Sequence, residues 1–242
     1  MAEVSQDRLA RSAHSDLTVA FRVTDGAWGQ RAAACATMLC QHCQPERIVI
    51  QRYGGGEGRE SRYSSGYNVL AGFSTTWLLA IDADSYVYGN VRELVKAAIQ
   101  MGVKASLRLS PLQAMGRNGW DEEGYKALFE RVHLPYRRLG TTCAFLLHRD
   151  VADLVLGWTG QWRKWLDQRG IMLSKSYHMA QVAFAMALAG AGVDDDRTGW
   201  WDPTQVSFAG EPHGIIHHEA LKSYRFPFNS KTNLEMALEE EK

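Results

Sequence analysis

The sequence lacks the features that mark several large classes of protein. Its 242 residues contain no apolar run approaching the roughly 20 residues that a membrane-spanning helix needs. Residues 1–16 are polar and charged, without the apolar centre of a secretory signal. Only four cysteines are present, and three of them crowd one predicted helix. So few clustered thiols argue against a disulfide framework, and we expect a cytoplasmic protein with reduced cysteines.

An excess of charge of one sign is also missing. Lysine and arginine number 27, as do aspartate and glutamate, so the formal net charge is zero. A balanced chain has no global field to attract nucleic acid or an acidic membrane surface. The glycine cluster at 54–58 lacks the Lys-Ser/Thr ending of a P-loop, and no G-x-G-x-x-G stretch opens a helix there. Two common phosphate-binding motifs are therefore excluded.

The cysteine pair Cys40-x-x-Cys43, with His42 inside it, allows a zinc interpretation. However, Cys35, Leu39 and Cys43 fall on one apolar stripe of a predicted helix, and buried free cysteine is common in protein cores. We therefore favour core packing for these thiols.

Alternating strand and helix patterns predict one α/β domain. The predicted strands are 17–23, 47–52, 77–81, 103–109 and 140–147, and the predicted helices begin near 30, 90, 121, 150 and 177. Asn90 and Asp150 are predicted helix caps, and Gly102 is predicted to end the helix that Asn90 begins. Because crossover connections are right-handed, we expect a Rossmann-like, mostly parallel central sheet flanked by helices. The predicted organisation is a lead-in at 1–15, a domain at 16–228 and an acidic tail at 229–242.

The apolar run Trp77 to Ile81 ends abruptly in two carboxylates, Asp82 and Asp84. A short continuous apolar run predicts a strand buried on both faces. Residues i and i+2 of a strand point to the same side, so both carboxylates would project from its carboxyl end. They would repel each other unless a cation, a proton or a basic side chain lay between them. Oxygen ligands of this kind suit Mg²⁺ or Mn²⁺, and the alternative is an Asp-rich turn.

Three stretches of the chain together resemble the nucleotide-sugar-binding half of the GT-A glycosyltransferases. The first, 30–50, is similar to the first helix and second strand of that fold. The second runs from Arg62 through Asn68 to the apolar strand and Asp82-Ala83-Asp84. The third is Ile215-Ile216-His217 followed by Lys222, similar to the late His and Lys of glycogenin-like members.

This resemblance implies metal-dependent transfer of a sugar from a nucleoside diphosphate donor, with UDP as the expected nucleotide and Mn²⁺ or Mg²⁺ as the cation. Asp82 and Asp84 would hold the cation, with His217 as third ligand and His218 as its register alternative. The residues implied in donor binding are Val23, Thr24, Asp25, Arg62, Asn68, Ala83 and Lys222.

The catalytic residues are less directly implied. Inverting members place a carboxylate at the start of the last large helix, and 176–181 contains no acid. Either Asp121, Glu211 or Asp202 supplies the base, or the enzyme retains configuration. Gln181 resembles the amide that retaining, glycogenin-like members place near the donor sugar, which favours retaining chemistry.

The acceptor stays open between a saccharide, a protein hydroxyl and a hydroxymethylated DNA base. Trp200 and Trp201 could stack on an acceptor ring or belong to the core. The alternative function is a haloacid-dehalogenase-type, Mg²⁺-dependent phosphohydrolase that uses Asp82 and Asp84 with Ser110, Lys175 and Asp194-Asp195. Those enzymes normally begin with the nucleophile strand, whereas two predicted strands precede Asp82 here.

Overall fold

The computed structural model describes most of the chain between residues 16 and 218. The described residues are 16–23, 27–52, 73, 75–110, 122–169 and 179–218. The predicted lead-in and acidic tail lie outside them. So do the following residues that the sequence singled out: Thr24, Asp25, Arg62, Asn68, Asp121, Lys175 and Lys222.

The described residues form nine strands and five helices. The strands are β1 (Leu17–Val23), β2 (Arg47–Arg52), β3 (Trp77–Asp82), β4 (Ser85–Val87), β5 (Ala105–Leu109), β6 (Gly140–His148), β7 (Thr198–Trp201), β8 (Val206–Phe208) and β9 (Ile216–His218). The helices are α1 (Ala27–His42), α2 (Arg92–Met101), α3 (Glu122–Arg131), α4 (Arg149–Gln168) and α5 (Met179–Gly190). No helix of the described chain is both long enough and apolar enough to cross a membrane.

Six strands form the central sheet, in the order β2-β1-β3-β6-β5-β7. All of them run in one direction except β6, which is antiparallel to both neighbours. Strand β6 is antiparallel to β5 because the segment after α3 returns the chain to the carboxyl end of β5 before β6 begins. At that point the backbone N–H of Ser110 donates to Leu139 O at 2.8 Å. The prediction of a sheet of mainly parallel strands flanked by helices is therefore confirmed, with one reversed strand.

The buried strand β3 lies in the middle of this sheet. Its residues alternate between two cores: Trp77, Leu79 and Ile81 pack on one side, and Leu78 and Ala80 on the other. All five are at most 3% exposed. Such burial on both faces is what the continuous apolar run predicts.

A second sheet contains β4, β9 and β8 in that order. Strand β4 begins directly after Asp84 and pairs antiparallel with β9, and β8 pairs parallel with β9. Strands β7 and β8 were not among the strands predicted from the sequence. Strands of three or four residues are too short to show a periodic pattern.

Local signals at helix ends were partly correct. The N-cap of α2 is Val91, one residue after the predicted Asn90, although Asn90 Oδ1 accepts the backbone N–H of Arg92 at 3.0 Å. Gly102 ends α2 as predicted, with φ of 65°. The prediction that Asp150 caps α4 was wrong: His148 is the cap, and its Nδ1 accepts the backbone N–H of Asp150 at 3.3 Å. Strand β6 runs into α4 without a loop, so the helix begins earlier than its sequence signal.

The predicted cysteine stripe of α1 is confirmed as core. Cys35, Leu39 and Cys43 are buried in the cluster between α1 and the sheet, whereas Cys40 is exposed. The Cys35 thiol donates to the backbone oxygen of Ser85 at 2.6 Å, which ties α1 to the strand that follows the acidic pair. Burial raises the pKa of Cys43. These contacts are those of packed thiols rather than metal ligands.

Candidate active site

Asp82 lies at the last position of β3, where a guanidinium holds it. Arg22 on β1 is in register with Asp82 across the parallel strands. Its Nη2 donates to Asp82 Oδ1 at 2.5 Å and also to the backbone oxygen of Thr142 on β6. Arg22 is 7% exposed and Asp82 is 32% exposed. The repulsion expected between neighbouring carboxylates is thus reduced by a buried positive charge.

Asp84 meets a partner from the last described strand. Its position in a turn leads into β4, which pairs with β9 so that Ser85 lies opposite His218. His218 Nδ1 is 3.4 Å from Asp84 Oδ1 and 3.0 Å from Ser85 Oγ. The Asp84 and His218 side chains are 13% and 15% exposed. The fold therefore brings the acidic turn and a late histidine together.

His217, the other candidate for the third ligand, has different contacts. Its ring nitrogen Nδ1 is 2.7 Å from Ser207 Oγ, and its ring centre is 4.4 Å from that of His213. The residue is 3% exposed. Because side chains alternate along a strand, His217 and His218 leave β9 on opposite faces. The contact with Asp84 thus favours His218, the register alternative.

The donor set at the end of β3 fits a cation shared with a substrate. Asp84 and His218 place a carboxylate beside an imidazole nitrogen. In the described chain, no group of three His, Cys, Asp or Glu side chains is arranged to hold a metal ion by itself. Mg²⁺, which binds reluctantly to all-protein cages, commonly uses one or two carboxylates together with substrate phosphates. Two protein donors are therefore adequate if phosphate oxygens complete the coordination.

Cys143 forms a neutral part of the same region. Burial, with smaller contributions from the charges of Asp82 and Asp84, raises the pKa of its thiol to about 12. The thiol is 5% exposed and stays protonated near neutral pH. A thiol must ionise to become a good metal ligand or nucleophile, so we assign Cys143 neither role.

Gln181, a candidate near the donor sugar, lies close to the carboxyl end of β5. The Ser110 hydroxyl, directly after β5, donates to Gln181 Oε1 at 3.0 Å. Ser110 is fully buried, so this bond places the start of α5 against the sheet. Since β5 and β3 run in the same direction, Gln181 and Asp82 both lie at the carboxyl ends of the parallel strands.

Glu211, the second catalytic candidate, is held by an arginine. Arg108 donates to both of its carboxylate oxygens, at 2.5 and 2.6 Å, and the Phe208 backbone N–H donates to Glu211 Oε2 at 2.7 Å. The hydrogen bonds from Arg108 lower the pKa of Glu211. A carboxylate stabilised as an anion is a weaker base, so these contacts favour a positioning role.

Three more residues considered from the sequence make structural contacts. Trp201 is 4% exposed and belongs to the core, and Trp200 Nε1 donates to Asp195 O at 3.2 Å. Asp202 accepts the backbone N–H and the hydroxyl of Thr204 at 2.7 and 2.6 Å, and these bonds lower its pKa. The burial of Trp201 thus favours its assignment to the core, and the hydrogen bonds of Asp202 stabilise the turn before β8.

Among the described phosphohydrolase candidates, the acidic pair does not lie beside Asp82. Ser110 follows β5 at the same end of the sheet as Asp82, where it bonds to Gln181. Asp194 and Asp195 precede β7, whose first residue pairs with the first residue of β5. Asp82, by contrast, is the last residue of β3. It therefore lies at the carboxyl ends of the parallel strands, whereas Asp194 and Asp195 lie at their amino ends.

Comparisons with known proteins support the fold. No protein-family model matches the sequence, and no curated protein matches it. The following three are among the solved structures that are similar. Mouse xyloside xylosyltransferase 1 has 11% identity and a TM-score of 0.52, over 85% of this chain and 98% of that one. The bifunctional glycosyltransferase WbbM has 9% identity and a TM-score of 0.54, over 85% of this chain and 46% of that one.

The third similar structure is a glycosyltransferase involved in glycosylation of the major capsid of PBCV-1. It has 10% identity and a TM-score of 0.53, over 92% of this chain and 99% of that one. At such low identity the three likenesses concern the fold. The β3 turn, the reversed strand β6 and the return of β9 to Asp84 occur in a chain with a GT-A-like glycosyltransferase fold.

Proposed function

We propose that the protein is a cation-dependent glycosyltransferase that uses a nucleoside diphosphate sugar, with UDP as the expected nucleotide. The observation that carries this proposal is the contact between Asp84 and His218, 3.4 Å apart at the end of β3. Two segments far apart in sequence meet there, in a fold similar to that of three glycosyltransferases. In an open α/β sheet, ligands bind beside the carboxyl ends of the strands, which is where these residues lie.

Asp84 and His218 would hold the cation, and Arg22 orients Asp82 beside them. When bound, Mn²⁺ or Mg²⁺ supplies positive charge that offsets the negative charge developing on a diphosphate leaving group. A histidine among the donors favours Mn²⁺ over Ca²⁺. Lys222 and Arg62 are proposed to contact phosphate oxygens as fixed positive charges.

The remaining donor contacts follow from the carboxyl end of β1. Val23 ends β1 and directly follows Arg22, which is in register with Asp82 on the parallel neighbour β3. We place the base and ribose against Val23, Thr24 and Asp25, and the diphosphate near the turn that contains Ala83. Gln181 is assigned to the donor sugar, which favours retention of configuration.

The proposal is tested by thermal unfolding with UDP, in the presence and absence of Mn²⁺. A ligand at about 100 times its Kd stabilises the folded state by about 2.7 kcal/mol, so wild type should show a Mn²⁺-dependent rise in Tm. Asp84→Asn should lose this rise. Asp167→Asn, on the exposed side of α4, is the matched control and should keep it.

An unchanged nucleotide response in Asp84→Asn would contradict the proposed site. Mg²⁺-dependent turnover of a simple aryl phosphate, without any response to UDP, would indicate the phosphohydrolase instead. If wild type does respond to UDP, screening UDP-sugars for Mn²⁺-dependent hydrolysis would identify the donor. The saccharide, protein and modified-DNA acceptors would be compared with that donor.

A further inference from the structure

The guanidinium of Arg22, a residue of β1, contacts two other strands of the central sheet, β3 and β6. It donates to Asp82 Oδ1 on β3 at 2.5 Å and to the backbone oxygen of Thr142 on β6. It also lies 5.2 Å from the centre of the Phe145 ring, on β6. Register places Arg22 directly beside Asp82 along the parallel pair of β1 and β3. The position of Arg22 is therefore set by the sheet itself.

A cation that approaches Asp82 has to compete with this guanidinium. Arginine remains charged at every physiological pH, and Arg22 is 7% exposed. Removing the partner of a buried charge is strongly unfavourable because the remaining charge is then uncompensated and poorly hydrated. Asp82 Oδ1 is consequently committed to Arg22 while the site contains only protein groups.

The positive charge of Arg22 also repels a cation that approaches the other oxygen of Asp82, because both carboxylate oxygens lie close to the guanidinium. The protein then offers a cation two donors at full strength, Asp84 and His218. Consistent with this, the described chain contains no group of three metal-ligating side chains suited to a metal ion. A hard divalent cation held by so few protein ligands needs additional oxygens, which the phosphates of a nucleotide supply. Cation binding and nucleotide binding should therefore depend on each other.

We propose, resting on the glycosyltransferase function proposed above, that Arg22 is a positioning residue that withholds Asp82 from the cation until a nucleoside diphosphate is bound. In the absence of nucleotide, Mn²⁺ binding is then weak. The diphosphate strengthens it, and by linkage Mn²⁺ strengthens nucleotide binding by the same factor. Arg22 thus makes the cation and the donor bind as a pair.

The first test measures binding of Mn²⁺ alone, from the electron paramagnetic resonance signal of free Mn²⁺. Arg22→Gln removes one positive charge near the site and releases Asp82, so its Kd for Mn²⁺ without nucleotide should fall about tenfold below that of wild type. The strengthening by UDP should shrink in the same variant. Arg22→Lys keeps the charge, and its Kd should stay within about threefold of wild type. An Arg22→Gln variant that binds Mn²⁺ no more tightly than wild type would overturn the inference.

The second test needs no change at Arg22. Asp82→Asn and Asp84→Asn each remove one negative charge, so the difference between them isolates direct donation to the cation. Without nucleotide, Asp84→Asn should weaken Mn²⁺ binding at least about tenfold more than Asp82→Asn does. Equal weakening would overturn the inference.

The two proposals can fail separately. The glycosyltransferase proposal fails if wild type shows no Mn²⁺-dependent response to UDP. The Arg22 inference fails on its own if wild type shows that response while Asp82→Asn and Asp84→Asn weaken binding of Mn²⁺ alone equally.

Discussion

The guanidinium of Arg108 and the carboxylate of Glu211 form two hydrogen bonds, of 2.5 and 2.6 Å, that join the two sheets of the protein. Arg108 belongs to β5 of the central sheet, and it also donates to the backbone oxygen of Val206 on β8 at 2.5 Å. Its guanidinium carbon lies 4.4 Å from the centre of the Phe208 ring. The pair therefore anchors β8, and through it β9, which carries His218 to Asp84.

This arrangement predicts that Glu211→Gln mainly affects stability. Urea unfolding near pH 7 should show a loss of about 1–2 kcal/mol, because a partly buried arginine loses a charged partner. Glu130→Gln, at an exposed position of α3, is the control and should change stability by less than about 0.5 kcal/mol. If Glu211 were instead the general base, kcat would fall about 10²-fold or more with little change in stability.

The lowered pKa of Glu211 also predicts a pH dependence. The value lies below its ordinary 4.5 in the folded protein, so the ionised carboxylate stabilises the fold above that pH. This stabilisation is lost as pH falls through the lowered pKa, because the unfolded state then binds the proton more readily. The difference in unfolding free energy between wild type and Glu211→Gln should shrink between about pH 7 and about pH 3. A constant difference would contradict the role given to the ion pair.

The two neighbouring histidines should respond differently to substitution. His218→Asn should raise the Kd for UDP in the presence of Mn²⁺ about tenfold or more, with little loss of stability. His217→Asn should instead lower the unfolding free energy by about 1–3 kcal/mol, because His217 is buried and bonded to Ser207. Calorimetric titration and urea unfolding of both variants separate these effects. The reverse pattern would assign the cation to His217.

Gly214, two residues before β9, packs closely against the backbone at 203–204. A Cβ at this position would lie 2.6 Å from the backbone oxygen of Pro203 and 3.0 Å from that of Thr204. Backbone atoms cannot move aside cheaply, so Gly214→Ala should destabilise the fold by about 1–3 kcal/mol. Gly157→Ala in α4, where a Cβ would meet nothing within 4 Å, is the matched control. It should be neutral or stabilising by up to about 1 kcal/mol.

Urea unfolding of Gly214→Ala and Gly157→Ala measures the predicted difference in stability. UDP binding in the presence of Mn²⁺ measures the effect of Gly214→Ala on the site. Gly214→Ala should also weaken nucleotide binding, since a shift of β9 moves His218 away from Asp84. An equally stable Gly214→Ala protein would show that the turn at 203–204 can yield.

Much of the fold was predictable because its signals are local. The apolar run before Asp82 specifies a doubly buried strand, and Gly102 ends a helix whose periodicity is visible along the chain. The same locality explains the errors. Asp150 carries a cap signal, but continuous pairing of β6 up to His148 moves the helix start two residues earlier.

The partners within the site were not predictable in this way. Arg22 is an unremarked residue of the first predicted strand, and only the register between β1 and β3 shows that it faces Asp82. Glu211 has the chemistry of a base, and only the proximity of β5 and β8 shows that Arg108 holds it. Contacts between residues far apart in sequence leave no periodic signal.

The sequence alone was sufficient to predict that Asp82 and Asp84 follow a buried strand and that His217 and His218 lie on a later strand. Alternation and apolar runs carry this information because they act over neighbouring residues. Tertiary pairing chose between the imidazoles: antiparallel alignment of β4 with β9 sets Ser85 opposite His218. A one-residue shift of that alignment would exchange the two faces of the strand. Which histidine meets Asp84 is therefore a property of strand register, and register is decided by the packing of the whole domain.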